Sequence, residues 1–438
     1  VTETLLDEID CGEDAAVYAE GWQSWSPTAW RPATGTGPRP ATPTEAAMRF
    51  RPGRPPLQSG FQGEGLLIVD TANGTPVRSY SIPAATDGVA TIRAHLHGGR
   101  LRVTASAADA HTVSVAEAPD RQTALARFGE AFASGAGSTT IRPAPTAWCT
   151  WYRYFEAVTP ADVLENLAAI EAHGLPVDVV QLDDGWQVEL GDWSPNAPFD
   201  DLAGLAEAVR ATGRRAGIWL APFLTTAGSR TAAQHPDWLV GDAGYNWGAG
   251  LRGLDLNRTD VREHLWQAFR WLAERGFDYF KLDFLYAGAL ARSASDPDGV
   301  QAYRAGLQLI RDAVGPDAYL LGCGAPLLPS VGLVDAMRVS SDTFHEDGRD
   351  GSVGLRGEAA VRARAWQHGR LWTNDADCVV LSPAFSLRGR WAEVVRQVGG
   401  LRSFSDRIAE LDTWGLETAR DLLAHPPGPR PFPATEAP

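Results

Sequence analysis

Phe277-Asp278-Tyr279-Phe280-Lys281-Leu282-Asp283 is the stretch on which the fold turns. Tyr279, Phe280 and Leu282 suit a buried parallel strand, whereas Lys281 and Asp283 do not. A charged pair at the end of such a strand is costly to bury without a partner. In a barrel of alternating strands and helices, the C-terminal strand ends are where chemistry is placed. The run therefore reads as a barrel strand that delivers Asp283 to a working face.

Working outward, apolar strand-like runs alternate with helical patterns from about residue 146 onward, the signature of a parallel α/β architecture. The candidate strands are 147–151, 177–183, 216–221, 278–283, 319–323, 336–340, 371–374 and 401–404. Helical patterns lie between them, for example 160–172 with Thr159 as N-cap, and 260–274. Eight strands in roughly 275 residues match an α/β fold of the (β/α)8 TIM-barrel type. A doubly wound sheet is disfavoured because no GxGxxG follows a strand.

The first 140 residues or so carry short alternating stretches broken by turns. Residues 66–69 and 77–82 flank Asn73-Gly74, and 91–96 and 101–104 flank His97-Gly98-Gly99, so two hairpins are expected. This half reads as an N-terminal β-sandwich domain. Its segment 30–56, rich in Pro, Gly and Arg, reads as one long loop. The expected organisation is a sandwich over 1–133, a linker over 134–146, the barrel over 147–425 and a Pro-rich extended or disordered tail over 426–438.

Composition narrows the partners. The 438 residues carry a net charge of −15, which argues against nucleic acid. No apolar run is long enough for a membrane helix, and no charged-then-apolar signal segment opens the chain. Cys11, Cys149, Cys323 and Cys378 are far apart without a CxxC pattern, so free thiols in a cytoplasmic protein are expected. Neither a cofactor nor a metal site is expected; His345-Glu346-Asp347 lacks a second His at helical spacing. A homo-oligomer is compatible with the chain.

Acidic residues gather at the ends of four candidate strands: Asp183-Asp184, Asp283, Asp342, and Asp375 with Asp377. A single loop acid is usually a solvated side chain or a cap. Four clusters on one barrel face suggest a pocket that tunes carboxylates. Cleavage of a glycosidic bond needs two carboxyl groups flanking the anomeric carbon. Lys281 shares a strand face with Asp283 and favours its ionised, nucleophilic form. Asp342, four residues from Arg338, is expected to keep a proton as the acid. Asp183 and Asp184 suit vicinal hydroxyls, and Trp151, Trp186 and Trp219 offer an apolar floor for a sugar ring. Cys323 reads as a pocket-wall residue.

The motifs together resemble the clan-D glycoside hydrolases, above all family 36, the bacterial α-galactosidases, with family 27 more distant. Those motifs, in chain order, are Trp148-Cys149-Thr150-Trp151, Leu182-Asp183-Asp184-Gly185-Trp186, Gly191-Asp192-Trp193, Gly217-Ile218-Trp219-Leu220-Ala221-Pro222, His235-Pro236-Asp237-Trp238, Leu254-Asp255-Leu256, Tyr279 to Asp283, Arg338-Val339-Ser340-Ser341-Asp342 and Trp372-Thr373-Asn374-Asp375-Ala376-Asp377. Gly21-Trp22-Gln23-Ser24-Trp25 is similar to part of the family's N-terminal sandwich. The resemblance implies Asp283 as nucleophile and Asp342 as acid/base. It implies Asp183 and Asp184 on the galactose 4- and 6-hydroxyls, Lys281 and Arg338 on ring hydroxyls, and Trp151 and Trp219 as walls. Cys323 and Asp377 match pocket-lining positions.

Three departures stand out: Ala221-Pro222-Phe223 for Glu-Pro-Glu, Gly322-Cys323-Gly324-Ala325-Pro326 for a longer Gly-rich loop, and Asn374-Asp375-Ala376-Asp377 for Asn-Asp-Pro-Asp. The shortened Gly-rich loop is expected to leave room beside C2 of the sugar. The family's C-terminal β-domain is expected to be absent or truncated. The expected function is a retaining exo-α-galactosidase acting on an oligosaccharide or glycoside, its carboxyls about 5–5.5 Å apart. Alternatives are an α-N-acetylgalactosaminidase, an α-glucosidase, a β-L-arabinopyranosidase, a transglycosylase, or a sugar-binding protein without turnover.

Overall fold

The computed structural model describes residues 3–432 apart from 87, 138–139, 247, 291–295 and 297–298. Residues 138–139 of the expected linker and 433–438 of the expected tail thus lie outside the described residues.

Two antiparallel sheets form the N-terminal region. One has the order Glu3–Asp10, Arg100–Ser106, Thr91–His97, Phe61–Glu64; the other Trp30–Pro32, Ala16–Ala19, Leu66–Asp70, Val77–Ser81, Ser114–Ala118. Both expected hairpins are present. Side-chain alternation decides the packing. Leu67 and Val69 join Ile92, Leu101 and Val103 of the facing sheet in one core, while Leu66 and Ile68 point the other way, into the core that holds Phe128 and Phe132 of helix Arg121–Gly135.

The segment 30–56 is not one loop. Trp30–Pro32 pairs with Ala16–Ala19, and Pro43–Arg49 is a helix whose N-cap Thr42 accepts a hydrogen bond from the Glu45 amide. Proline at the first helical position starts a helix rather than breaking one, and its count in the composition hid that role.

From residue 147 a curled sheet of eight parallel strands follows: Ala147–Cys149, Val179–Leu182, Arg215–Leu220, Phe277–Leu282, Tyr319–Gly322, Ala336–Arg338, Thr373–Asp375 and Ser403–Phe404. The first seven strands pair in chain order, each with the next, and the eighth pairs with the first. Isolated parallel bridges, Asp375↔Leu401 and Val379↔Phe404, link the seventh strand region to the eighth. All eight expected strands form, most of them stopping short of the acids that follow; Trp151 lies in a short helix, Trp151–Tyr154. Helix Pro160–His173 carries the expected Thr159 cap as a full capping box with Asp162 and ends on left-handed Gly174. The enclosed face holds Val179, Tyr279, Tyr319 and Leu321, and Tyr279 shares that face with Lys281 and Asp283.

An insertion absent from the sequence reading follows the third parallel strand: a three-stranded antiparallel sheet of Leu224–Thr226, Ala249–Leu254 and Leu239–Asn246. Residues 426–432 form neither helix nor strand and are anchored, for His368 Nε2 lies 3.2 Å from the Gly428 carbonyl and its ring stacks on Phe432. Among the described residues, no helix is long and apolar enough to cross a membrane.

Candidate active site

A cavity of about 1090 Å³ opens over the C-terminal ends of the parallel strands. Asp183, Asp184, Trp219, Lys281 and Asp283 line its depth, and Trp151 and Asp342 stand beside them. Seven of the sequence-predicted site residues are therefore brought together. Trp186, Cys323, Arg338 and Asp377 lie outside the lining, all four buried.

Asp283 continues its strand by one residue, its amide donating to the Leu220 carbonyl at 2.8 Å. Its carboxylate accepts from Trp219 Nε1 at 3.0 Å and from the Phe284 amide at 2.8 Å. The second bond holds Phe284 at a left-handed φ of 51°, uncommon for a residue with a side chain. Burial raises the carboxyl's proton affinity above the ordinary range; Lys281 opposes this and Asp342 adds to it. Lys281 does favour ionised Asp283, as expected, but it does not prevail. The ammonium instead pairs directly with Asp183 at 3.0 Å, and burial of Asp283 outweighs its more distant pull.

Asp183 collects most of its donors on Oδ2. Besides Lys281, it accepts from Gln181 Nε2 at 2.6 Å and from the Asp184 amide at 3.0 Å. Asp184 accepts from Gln187 Nε2 at 2.5 Å, and burial pushes its pKa up to about 7, with Asp183 and Glu156 contributing.

Asp342 also departs from expectation. Its loop folds back so that Arg338 Nη2 lies 2.9 Å from Oδ1. The carboxyl is held below the usual range because Arg338, with Lys281 and His345, overcomes its burial. With 26% of its side chain exposed, Asp342 faces the cavity mouth, whereas Arg338 is buried behind it. Arg338 also reaches Asp377 at 2.5 Å, and Asp377 in turn bonds Tyr152 and, at 2.8 Å, both the amide and the hydroxyl of Thr343. Arg338 and Asp377 therefore stand behind Asp342 rather than touch the cavity.

Trp186 does not form the floor. It packs behind, stacked on Trp193, and its Nε1 donates to the Trp219 carbonyl at 2.9 Å, which fixes the strand that presents Trp219. Cys323 hydrogen-bonds Asp283 from a fully buried position. The shortened loop around it leaves no open space, because Trp25 fills it: a Cβ on Gly324 would lie 2.9 Å from the Trp25 ring. Ser24 donates its amide to the Ala325 carbonyl at 3.0 Å, and Trp25 packs edge-on to Phe284, next to Asp283.

Trp25 is the main functional residue that sequence reasoning missed, although its motif was visible. A buried ion pair fixes it. Arg364 Nε donates to Glu20 Oε1 at 2.9 Å, both side chains being fully buried, and its Nη1 and Nη2 donate to the Ser24 and Ser26 carbonyls. Met48 and Arg49 of helix Pro43–Arg49, Tyr245 of the inserted sheet, and His345 and Arg356 complete the mouth. No local pattern in the sequence marks them as neighbours.

Comparison with known proteins finds likenesses for this geometry. Residues 142–301 match the melibiase family. That match bears out the family resemblance read from the motifs. The melibiase segment includes Asp183, Asp184, Lys281 and Asp283 but ends before Asp342. An α-galactosidase 2 from Pediococcus pentosaceus is 30% identical over 151 residues, 32% of this chain and 21% of that protein. The α-galactosidase AgaA from Geobacillus stearothermophilus is 30% identical over 166 residues, 34% of this chain and 23% of that protein. The matched stretches thus span about a fifth of the length of these curated relatives. Over the chain as a whole the likeness to solved structures is broader. A structure of an α-galactosidase from Thermus thermophilus in complex with p-nitrophenyl α-D-galactopyranoside superposes with a TM-score of 0.78 at 26% identity, covering 97% of this chain and 92% of that one.

Proposed function

We propose that this protein is a retaining exo-α-galactosidase whose curled sheet is a (β/α)8 barrel, closed by the bridges between its seventh and eighth strands. The carrying observation is the cavity itself: Asp283 in its depth, Asp342 nearer its mouth, and Asp183 with Asp184 beside them. Relatives named as α-galactosidases, one of them bound to an aryl α-galactoside, support the sugar. The domain reading remains a sandwich over 1–133, a linker and a barrel over 147–425. A cytoplasmic setting fits four unpaired cysteines.

In this mechanism, galactose hydroxyls donate to Asp183 and Asp184 while Trp219 and Trp151 cover the ring. Asp283, aimed by Trp219 Nε1 and the Phe284 amide, attacks the anomeric carbon as Asp342 protonates the departing oxygen. A β-galactosyl-enzyme forms, and Asp342 then deprotonates the water that releases it. The surroundings draw Asp283 toward its protonated form and Asp342 toward its ionised form. Only the enzyme fraction with the proton on Asp342 is competent.

The test is Asp283→Ala assayed on an aryl α-galactoside. Turnover is expected to fall by at least about 10³-fold, and azide is expected to restore it with β-galactosyl azide as product. α-Galactosyl azide as the product, or no rescue, overturns the assignment.

A further inference from the structure

The cavity mouth carries two features the reaction itself does not use. Tyr245 lines it at 54% exposure, and Val188 of strand Gln187–Glu189 lines it at the same exposure. A tyrosine on the rim of a sugar cavity that shows its ring to water is a stacking surface awaiting a partner. No ring packs against it among the described residues.

Its position is built rather than incidental. Tyr245 follows Gly244, whose left-handed φ of 95° and lack of a side chain let Met48 approach; a Cβ there would lie 2.5 Å from Met48 Cγ. From below, the Tyr286 hydroxyl donates to the Ala243 carbonyl at 2.5 Å. Helix Pro43–Arg49 is itself pinned at its C-terminal carbonyls: Gln23 Nε2 donates to Met48 O, and Ser26 Oγ donates to Arg49 O at 2.5 Å. Arg49, ion-paired with Glu45 at 3.4 Å, lines the same rim and offers charged donors beside the ring.

The depth of the cavity is taken by the galactose-reading carboxylates, so whatever galactose is attached to must extend toward the mouth past Asp342. A volume of about 1090 Å³ lies at the top of the range for pockets that enclose a whole small ligand, so the mouth has room for a further ring. We propose that Tyr245, with Arg49 and Val188, forms a leaving-group subsite that binds the sugar residue linked to the cleaved galactose. This rests on the α-galactosidase reading and adds to it a preference for galactosyl-saccharides over galactosides of small leaving groups.

The experiment compares kcat/KM for melibiose, a galactosyl-glucose, with that for α-galactosyl fluoride, whose leaving group cannot reach Tyr245. Tyr245→Ala is expected to lower the melibiose value about tenfold and leave the fluoride value within about twofold, while Tyr245→Phe keeps both, since stacking needs the ring and not the hydroxyl. Equal losses on both substrates, or an unchanged melibiose value in Tyr245→Ala, overturn the subsite. Absence of turnover of both substrates by the unsubstituted protein overturns the α-galactosidase reading instead.

Discussion

Asp377 shows how much of the chemistry sits one contact behind the cavity. It adopts φ 104° without being glycine, which is strain retained only where surrounding bonds enforce it. Its amide donates to Asp375 Oδ1 at 2.9 Å, and its carboxylate meets Arg338, Tyr152 and Thr343. Arg338 is thereby shared between Asp377 and the proposed acid Asp342. Lys281, His345 and Arg338 all favour ionised Asp342, against the like charges of Asp283, Asp375 and Asp377. Asp377→Asn removes the anion that balances Arg338, so the guanidinium acts on Asp342 unshared. The alkaline limb of the kcat/KM profile is then expected at lower pH, because the acid loses its proton sooner. A limb that stays in place or moves to higher pH would contradict this.

Among the elements, the segment from Glu20 to Arg49 is what joins the sandwich to the curled sheet. It contributes no strand to that sheet, yet it supplies Trp25, Met48 and Arg49 to the cavity. The link depends on the Glu20–Arg364 pair, where Glu20 also accepts from Tyr18 Oη at 2.8 Å and Gln367 Nε2 at 3.0 Å. Removing one partner of a buried pair leaves an uncompensated charge, which costs about 3–5 kcal/mol. Glu20→Ala is therefore expected to lose about that much stability in urea denaturation and to weaken substrate binding through Trp25. A loss below about 1 kcal/mol would show that the pair is not buried as described. Such a role is illegible in sequence because Glu20 and Arg364 are hundreds of residues apart.

For the whole molecule, buried carboxyls set the response to pH. Burial raises Asp184 and Asp406 to about 7 and Asp377 to about 6, against roughly 4 for an aspartate in the unfolded chain. Between those values the folded state binds more protons, so these groups stabilise at low pH and their contribution fades as pH rises toward 7. Asp342, Asp192 and Glu410 are held low instead, and their contribution is lost as pH falls below the ordinary carboxylate range. With a net charge of −15 adding repulsion at higher pH, Tm is expected to peak near about pH 5.5 and decline toward pH 8. Calorimetric scans that rise steadily to pH 8 would refute this. Sequence alone determined the eight parallel strands, the two hairpins and the gathering of Asp183, Asp184, Lys281, Asp283 and Asp342 at strand ends over one cavity, because apolar periodicity and strand-end acids are local signals. It could not determine which charge pairs with which, that Trp25 rather than Trp186 walls the cavity, or that a helix and an inserted sheet make its mouth. Those depend on contacts between distant segments and on burial, and only the tertiary structure decided them.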